Sequence, residues 1–165
     1  MTHLLLIKED LFGGTYMEQA RASRVTPAEQ DTLRKLIEIN KDAHAWFHMA
    51  AMDSWEEPRL LAIYEELSDQ RLQFSSELQD ALSEVGGKLR ASGTRLLARG
   101  WFDLRHSASD QKKRLGHSLT LEDKYSDAYE SAHEMNWPAD IRGLLDKHVS
   151  SAKTSRQRLF PHLGD

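Results

Sequence analysis

The stretch IYEELSDQRLQFSSELQDALSEV, residues 63–85, carries apolar side chains at Tyr64, Leu67, Phe74, Leu78, Ala81 and Val85. Spacings of three and four draw a single stripe along an α-helix, and a stripe of that length needs other helices to cover it. Arg71 stands in the middle, where the spacing calls for another apolar residue. A guanidinium on that face keeps its proton and must meet a carboxylate or a carbonyl. Its partner has to come from another helix.

Upstream, Thr26-Pro27-Ala28-Glu29 combines an N-cap hydroxyl, a proline at the first helical position and a glutamate at N3. This is a capping box that opens a helix. Its stripe runs Leu33, Leu36/Ile37, Asn40, His44, Phe47 and Ala51, with Asn40 and His44 as polar interruptions. Ser54-Trp55-Glu56-Glu57 reads as a second capping box opening the Arg71 helix, with Pro58 in its first turn. Helix starts are expected within about two residues of Thr26 and Ser54. So short a connection makes the two helices antiparallel neighbours. Gly86-Gly87 predicts a left-handed cap at the end of the second.

Downstream, residues 88–108 change character. A short helical piece over 94–106, with Leu96, Leu97, Trp101 and Leu104, is expected on a long crossover. Such a crossover lets the second and third helices run parallel. The third helix starts near Ser107–Asp110 and runs to about Met135, with the stripe Leu115, Leu119, Glu122, Ser126, Tyr129 and Ala132/His133. After the turn Asn136-Trp137-Pro138, the fourth follows Ile141, Leu145, His148, Ala152, Ser155 and Leu159 until Pro161. The expected fold is all-α: a four-helix bundle over residues 26–160, with an arm over 1–25 and a tail over 161–165. Leu4-Leu5-Leu6-Ile7 is the apolar cluster of the arm.

A chain of 165 residues, 39% hydrophobic and 29% charged, suits one domain with a sizeable core. A net charge of −4 argues against nucleic-acid binding. With no cysteine, disulfides, thiol nucleophiles and cysteine-held metals are excluded. No apolar run reaches membrane-spanning length, and the first residues make a poor signal peptide, so a cytoplasmic protein is expected. Glycine-rich phosphate loops and the Gly-x-Ser-x-Gly elbow are missing. Trp46, Trp55 and Trp137 are expected on the surface, where aromatic residues leave room for a homodimer.

Each long helix thus carries a polar residue on its apolar stripe: Asn40 and His44, Arg71, Glu122, and His148. The plain reading is a structural polar layer in which Arg71 pairs with Glu122; such buried pairs fix register more than they stabilise. The alternative is a metal site for iron or manganese using His44, Glu122 and His148. Dimetal bundles draw a Glu from two helices and a Glu-x-x-His from each of the others. Here the motif occurs once, at Glu130-Ser131-Ala132-His133, and the second helix offers Glu66-x-x-Asp69 without a histidine. His44 and His48, four residues apart, share a helical face.

Leu36-Ile37-Glu38-Ile39-Asn40-Lys41-Asp42, Gln70-Arg71, Phe74, Glu77-Leu78, Gly86-Gly87, Arg99–Leu104, Glu122-Asp123 and Tyr129 together resemble a bacterial family of uncharacterised proteins, a domain of unknown function. That family is assigned to the ferritin-like four-helix bundles. The resemblance covers about Thr32 to Leu159 and is most specific over Arg99-Gly100-Trp101-Phe102-Asp103-Leu104. It implies the crossover topology and favours pairing of Arg71 with Glu122; it implies no activity. Two departures count against an inherited metal site. Leu121 replaces a glycine common before Glu-Asp, and residues around Thr154-Ser155 replace a His-Asp late in the last helix. The expected function is a non-catalytic bundle acting through protein contacts in a stress-related or accessory role. The alternative is a ferritin-like oxidoreductase or metal-storage protein.

Overall fold

The structure, a computed structural model, describes residues 25–89 and 110–163. Among the described residues there are four long α-helices: α1 (Pro27–Met52, 26 residues), α2 (Pro58–Glu84, 27 residues), α3 (Gln111–His133, 23 residues) and α4 (Ala139–Leu159, 21 residues). A 3₁₀ turn, Phe160–Leu163, follows α4. The arm before Val25 and the short helix expected on the crossover lie outside the described residues.

Caps explain most of the boundaries. Thr26 is the N-cap of α1: its hydroxyl accepts from Glu29 N–H at 3.2 Å, and the Glu29 carboxylate accepts from Thr26 N–H at 2.6 Å. Asp110 caps α3 by accepting from Lys112 N–H at 2.9 Å. The expected box at Ser54 is corrected. The N-cap of α2 is Glu57, with Pro58 as the first helical residue and no side-chain cap bond. Ser54 instead donates its hydroxyl to Ala50 O at 2.7 Å and so finishes α1. A hydroxyl can serve an orphan carbonyl behind it as readily as an orphan amide ahead of it.

The end of α2 is a full Schellman motif. Gly86 N–H donates to Ser83 O at 3.0 Å and Gly87 N–H to Leu82 O at 2.8 Å, with Gly86 at φ 72°. The two glycines serve different purposes here. Gly86 supplies the left-handed backbone, whereas a Cβ on Gly87 would meet Leu82 Cγ at 2.8 Å and Leu82 O at 3.0 Å. Leu82 is core-packed and 1% exposed, so it has nowhere to retreat. Gly87→Ala is therefore expected to cost about 1–3 kcal/mol as an overpacking change. Gly86→Ala should cost about 1 kcal/mol from backbone strain alone. Chemical denaturation of the two variants checks both values, and a Gly87→Ala protein as stable as wild type would refute the close approach.

Cross-helix contacts fix the directions. Gln30 reaches Val85 O (3.2 Å) and Arg34 reaches Lys88 O (2.8 Å), so α1 and α2 are antiparallel. Glu66 pairs with Arg158 and Glu77 with Lys147, so α2 and α4 are antiparallel as well. Tyr64 meets Ser118 while Arg71 meets Glu122, so α2 and α3 run the same way. The most extensive packing is between α1 and α2 and between α3 and α4.

Among the described residues the apolar core falls into two clusters. One end holds Leu33, Leu36, Ile37, Phe74, Leu78, Tyr129, Trp137 and Leu145; Val25 joins it as well. The other holds Trp46, Phe47, Leu60, Tyr64, Leu67, Leu115, Leu119 and Leu159. Asn40, Arg71 and Glu122 occupy the sequence positions between the two sets on α1, α2 and α3. The stripes expected on α2 and α4 are nearly all buried. On α3, Ser126 lies half-buried at the rim and Tyr125 takes the inward position instead. Trp46 and Trp137 are also corrected, being only 4% and 5% exposed. Each indole buries because its N–H is satisfied, Trp46 by Ser118 Oγ (3.0 Å) and Trp137 by Ala132 O (2.6 Å). Only Trp55 of these three is exposed.

Candidate functional site, a buried polar layer with one outlet

Arg71 and Glu122 face each other across α2 and α3, 0% and 1% exposed. A single nitrogen, Arg71 Nη2, donates to both carboxylate oxygens, at 2.6 and 2.7 Å. Both oxygens accept, which is the carboxylate form of Glu122. Burial pushes the Glu122 carboxyl up from its ordinary value, while the charge and hydrogen bonds of Arg71 pull against that rise. The guanidinium also lies over the Tyr125 ring, 3.7 Å from its centre. A charge stacked on an aromatic face and held by a carboxylate is well suited to burial.

Beside this pair a second set of side chains leads outward. Asn40 Nδ2 donates to Leu36 O (2.8 Å) and to the Tyr129 hydroxyl (2.9 Å). Tyr129 lies 2.9 Å from His148 Nδ1, and His148 Nε2 lies 2.8 Å from Glu77 Oε2. Glu77 Oε1 accepts from Lys147 (2.7 Å) and Gln73 (2.9 Å) at the surface. Counting donors settles the directions. If Nε2 carries the histidine proton, His148 donates to Glu77 and accepts from Tyr129, whose oxygen accepts from Asn40. The Tyr129 hydroxyl and both His148 nitrogens are then used. A doubly protonated His148 would add a second donor to the Tyr129 oxygen and take away the acceptor of its O–H.

Electrostatics agree with that count. Burial drives His148 down to about 4, against the upward pull of Glu77. Burial works to raise Glu77 too, but hydrogen bonds from His148, Lys147 and Gln73 outweigh it and hold the carboxyl at about 2. A low Glu77 favours a charged imidazole and a low His148 favours a neutral one, so the two shifts pull apart. Burial decides it. The imidazole is 0% exposed, stacks on Phe74 at 3.8 Å, and feels the Arg71 charge. Burial likewise pushes the Tyr129 phenol up to about 12, so it stays protonated.

Of the residues singled out from the sequence, Arg71, Glu122, Asn40 and His148 thus lie in one buried layer, in two adjoining sets. His44 does not join them. It is half-buried, with Nδ1 3.0 Å from Ser68 O and 3.0 Å from Ser68 Oγ, and its ring stacks loosely on His48 at 6.2 Å. Glu77 and Tyr125 are the members that the stripes did not single out. Each sits one helical step from a stripe residue, Tyr125 three after Glu122 and Glu77 three after Phe74.

The geometry does not suit the metal alternative. Among the described residues no three His, Asp or Glu side chains converge in a way that could hold an ion. Glu122 is taken by Arg71, and His148 has both nitrogens engaged. His133, of the Glu-x-x-His motif, pairs with Asp146 at 2.5 Å, and Glu66 pairs with Arg158 at the surface.

A family model described as a domain of unknown function, DUF2383, matches residues 28–135, more than half of the chain. The chain belongs to the DUF2383 family. No curated protein matches it. The DUF2383 match spans α1, α2 and α3 and therefore includes Asn40, Arg71, Glu77, Glu122, Tyr125 and Tyr129. His148, which links this set to Glu77, lies on α4 beyond the matched residues. Among the described residues no helix is long and apolar enough to cross a membrane.

Proposed function

We propose that this DUF2383 protein is a non-catalytic, ferritin-like helical bundle that acts through protein contacts. The observation that carries the reading is an apolar end. Trp55 (72% exposed), Met52 (68%) and Phe160 (58%) are large side chains left to solvent. Met52 and Trp55 flank the turn from α1 to α2, and Phe160 follows Leu159, whose side chain packs in the cluster of Ala50, Ala51 and Leu60 at that same end. Exposed tryptophan and methionine grouped in this way are typical of interface anchors. The first occupant we infer is a second copy of this chain, giving a cytoplasmic homodimer.

Two observations support the non-catalytic part of the proposal. The buried polar groups are mostly spent on one another, and Glu77, the outlet of the layer, is occupied by three donors. The parallel run of α2 and α3 supports the ferritin-like part, because the chain must return along a helix of roughly 40 Å between them. The iron or manganese alternative would need ligands beyond the described residues, or Arg71 displaced from Glu122.

Light scattering across a concentration series tests the reading. The wild type should exceed monomer mass, and Trp55→Ser should weaken association at least tenfold, about 1.4 kcal/mol. A wild type that stays monomeric at its solubility limit ends the homodimer proposal. Stoichiometric iron or manganese in protein purified without chelator would replace the non-catalytic reading by the alternative.

A further inference from the structure

The Arg71–Glu122 pair leaves part of its own polarity unspent. Arg71 Nε and Nη1 are buried and make no hydrogen bond, although Nε carries one hydrogen and Nη1 two. A side-by-side fork to a carboxylate uses two guanidinium nitrogens, but here Nη2 alone serves both Glu122 oxygens. On α1, Asn40 Oδ1 is likewise buried without a partner. Turning the amide over gives no relief, since Leu36 O and the Tyr129 hydroxyl both hold Nδ2 in place. On α3, the Tyr125 hydroxyl is near that of Tyr129 but makes no hydrogen bond of good geometry.

These unspent groups belong to one layer. Asn40 bonds Tyr129, Tyr129 stacks on Tyr125 at 4.4 Å, and Tyr125 lies 3.7 Å beneath the guanidinium. Arg71 and Asn40 are both 0% exposed, and Tyr125 is 1% exposed. Leaving so many donors and an amide oxygen unmet is costly, because each gives up its hydrogen bonds to water on burial and gets none in return. Two of the nearby side chains offer no remedy: Phe74 is apolar, and both nitrogens of His148 are engaged.

The chemistry missing is a small, neutral group that accepts from Arg71 and donates to Asn40. A further anion is disfavoured because Glu122 already balances the guanidinium, and a cation is repelled by it. Water meets the requirement, as it accepts twice and donates twice. We propose that Arg71, Asn40 and Tyr125 form an internal water site at mid-bundle, in which ordered water bridges Arg71 Nε or Nη1 to Asn40 Oδ1. The site completes the polar layer, and it lies one side chain away from Tyr129, from which His148 and Glu77 lead to solvent.

Two measurements on the full chain decide it. A high-resolution crystal structure of the wild type should place a water within hydrogen-bonding distance of Arg71 Nε or Nη1 and of Asn40 Oδ1. Glu122 spanning two guanidinium nitrogens, with no water on either group, overturns the proposal. In solution, oxygen-17 relaxation dispersion should report long-lived internal water in the wild type and less of it in Asn40→Leu. Dispersion of equal amplitude in both proteins also overturns it. Should Asn40→Leu not fold, the double variant Arg71→Met/Glu122→Leu removes the site from the opposite side and carries the same expectation.

Discussion

Arg71→Met is expected to destabilise the bundle by about 3–5 kcal/mol, because it strands the buried Glu122 carboxylate without an opposite charge. Glu122 is 1% exposed, and Arg71 Nη2 is the donor to both of its oxygens, so nothing else on the described helices replaces the lost charge. Domains of this kind have total stabilities of about 5–15 kcal/mol, which makes the single change close to disabling. Adding Glu122→Leu should restore much of the loss. Apolar residues of similar volume commonly substitute for a buried ion pair with little penalty, since neither charge then has to leave water. The double-mutant cycle should therefore show a coupling of about 2–3 kcal/mol, and additive losses would refute the pairing. The stranded carboxyl also gives the variant a pH dependence of its own. Without Arg71 to pull it down, Glu122 rises further above its unfolded value, so the folded variant binds a proton more tightly. Its deficit relative to wild type should shrink as pH falls.

Much of this bundle is legible in the sequence because the signals are local. Thr26 and Asp110 mark helix starts through caps that reach only three residues, and Gly86-Gly87 marks an end through backbone geometry. Arg71 and Glu122 can be linked from the sequence because each is too costly to bury alone. Other features depend on what lies across the core. Ser54 has the spacing of a capping box, yet the carbonyl it serves belongs to the helix behind it. Trp46 and Trp137 look like surface residues until Ser118 and a helix-end carbonyl supply acceptors for their indoles. Tyr125 and Glu77 complete the polar layer through angles between helices, which helical spacing does not encode. His44 shows the reverse: it has the right spacing, but Ser68 takes up its imidazole first. The same limit applies to activity. Spacing alone makes Glu122 and His148 look like metal ligands, whereas in the fold Glu122 accepts from Arg71 and both His148 nitrogens face Tyr129 and Glu77.

His148 should make the protein sensitive to mild acid. Its folded value of about 4 lies below the ordinary histidine value of 6.5 because burial disfavours the imidazolium. The unfolded chain therefore binds more protons over that interval, and stability falls as pH drops from about 6.5 towards 4. At 1.36 kcal/mol per unit, the loss across this window is about 3 kcal/mol. Glu77 adds a later loss of the same sign. Its carboxyl, held at about 2 in the fold, keeps its stabilising effect above the ordinary glutamate value of 4.5 and gives it up as pH falls further. The two groups touch, so the measured profile belongs to the pair. Urea denaturation at a series of pH values reads the slope directly. His148→Gln keeps an amide that can still face Glu77 but removes the titration. Its profile should lie flatter than that of wild type between pH 6.5 and 4.5, even though its overall stability is lower. The other histidines contribute equally to both proteins and cancel in the comparison. Parallel slopes, or a wild type that gains stability on acidification through this window, would mean that His148 is charged in the fold. The direction assigned to the Tyr129–His148–Glu77 chain would then have to be reversed.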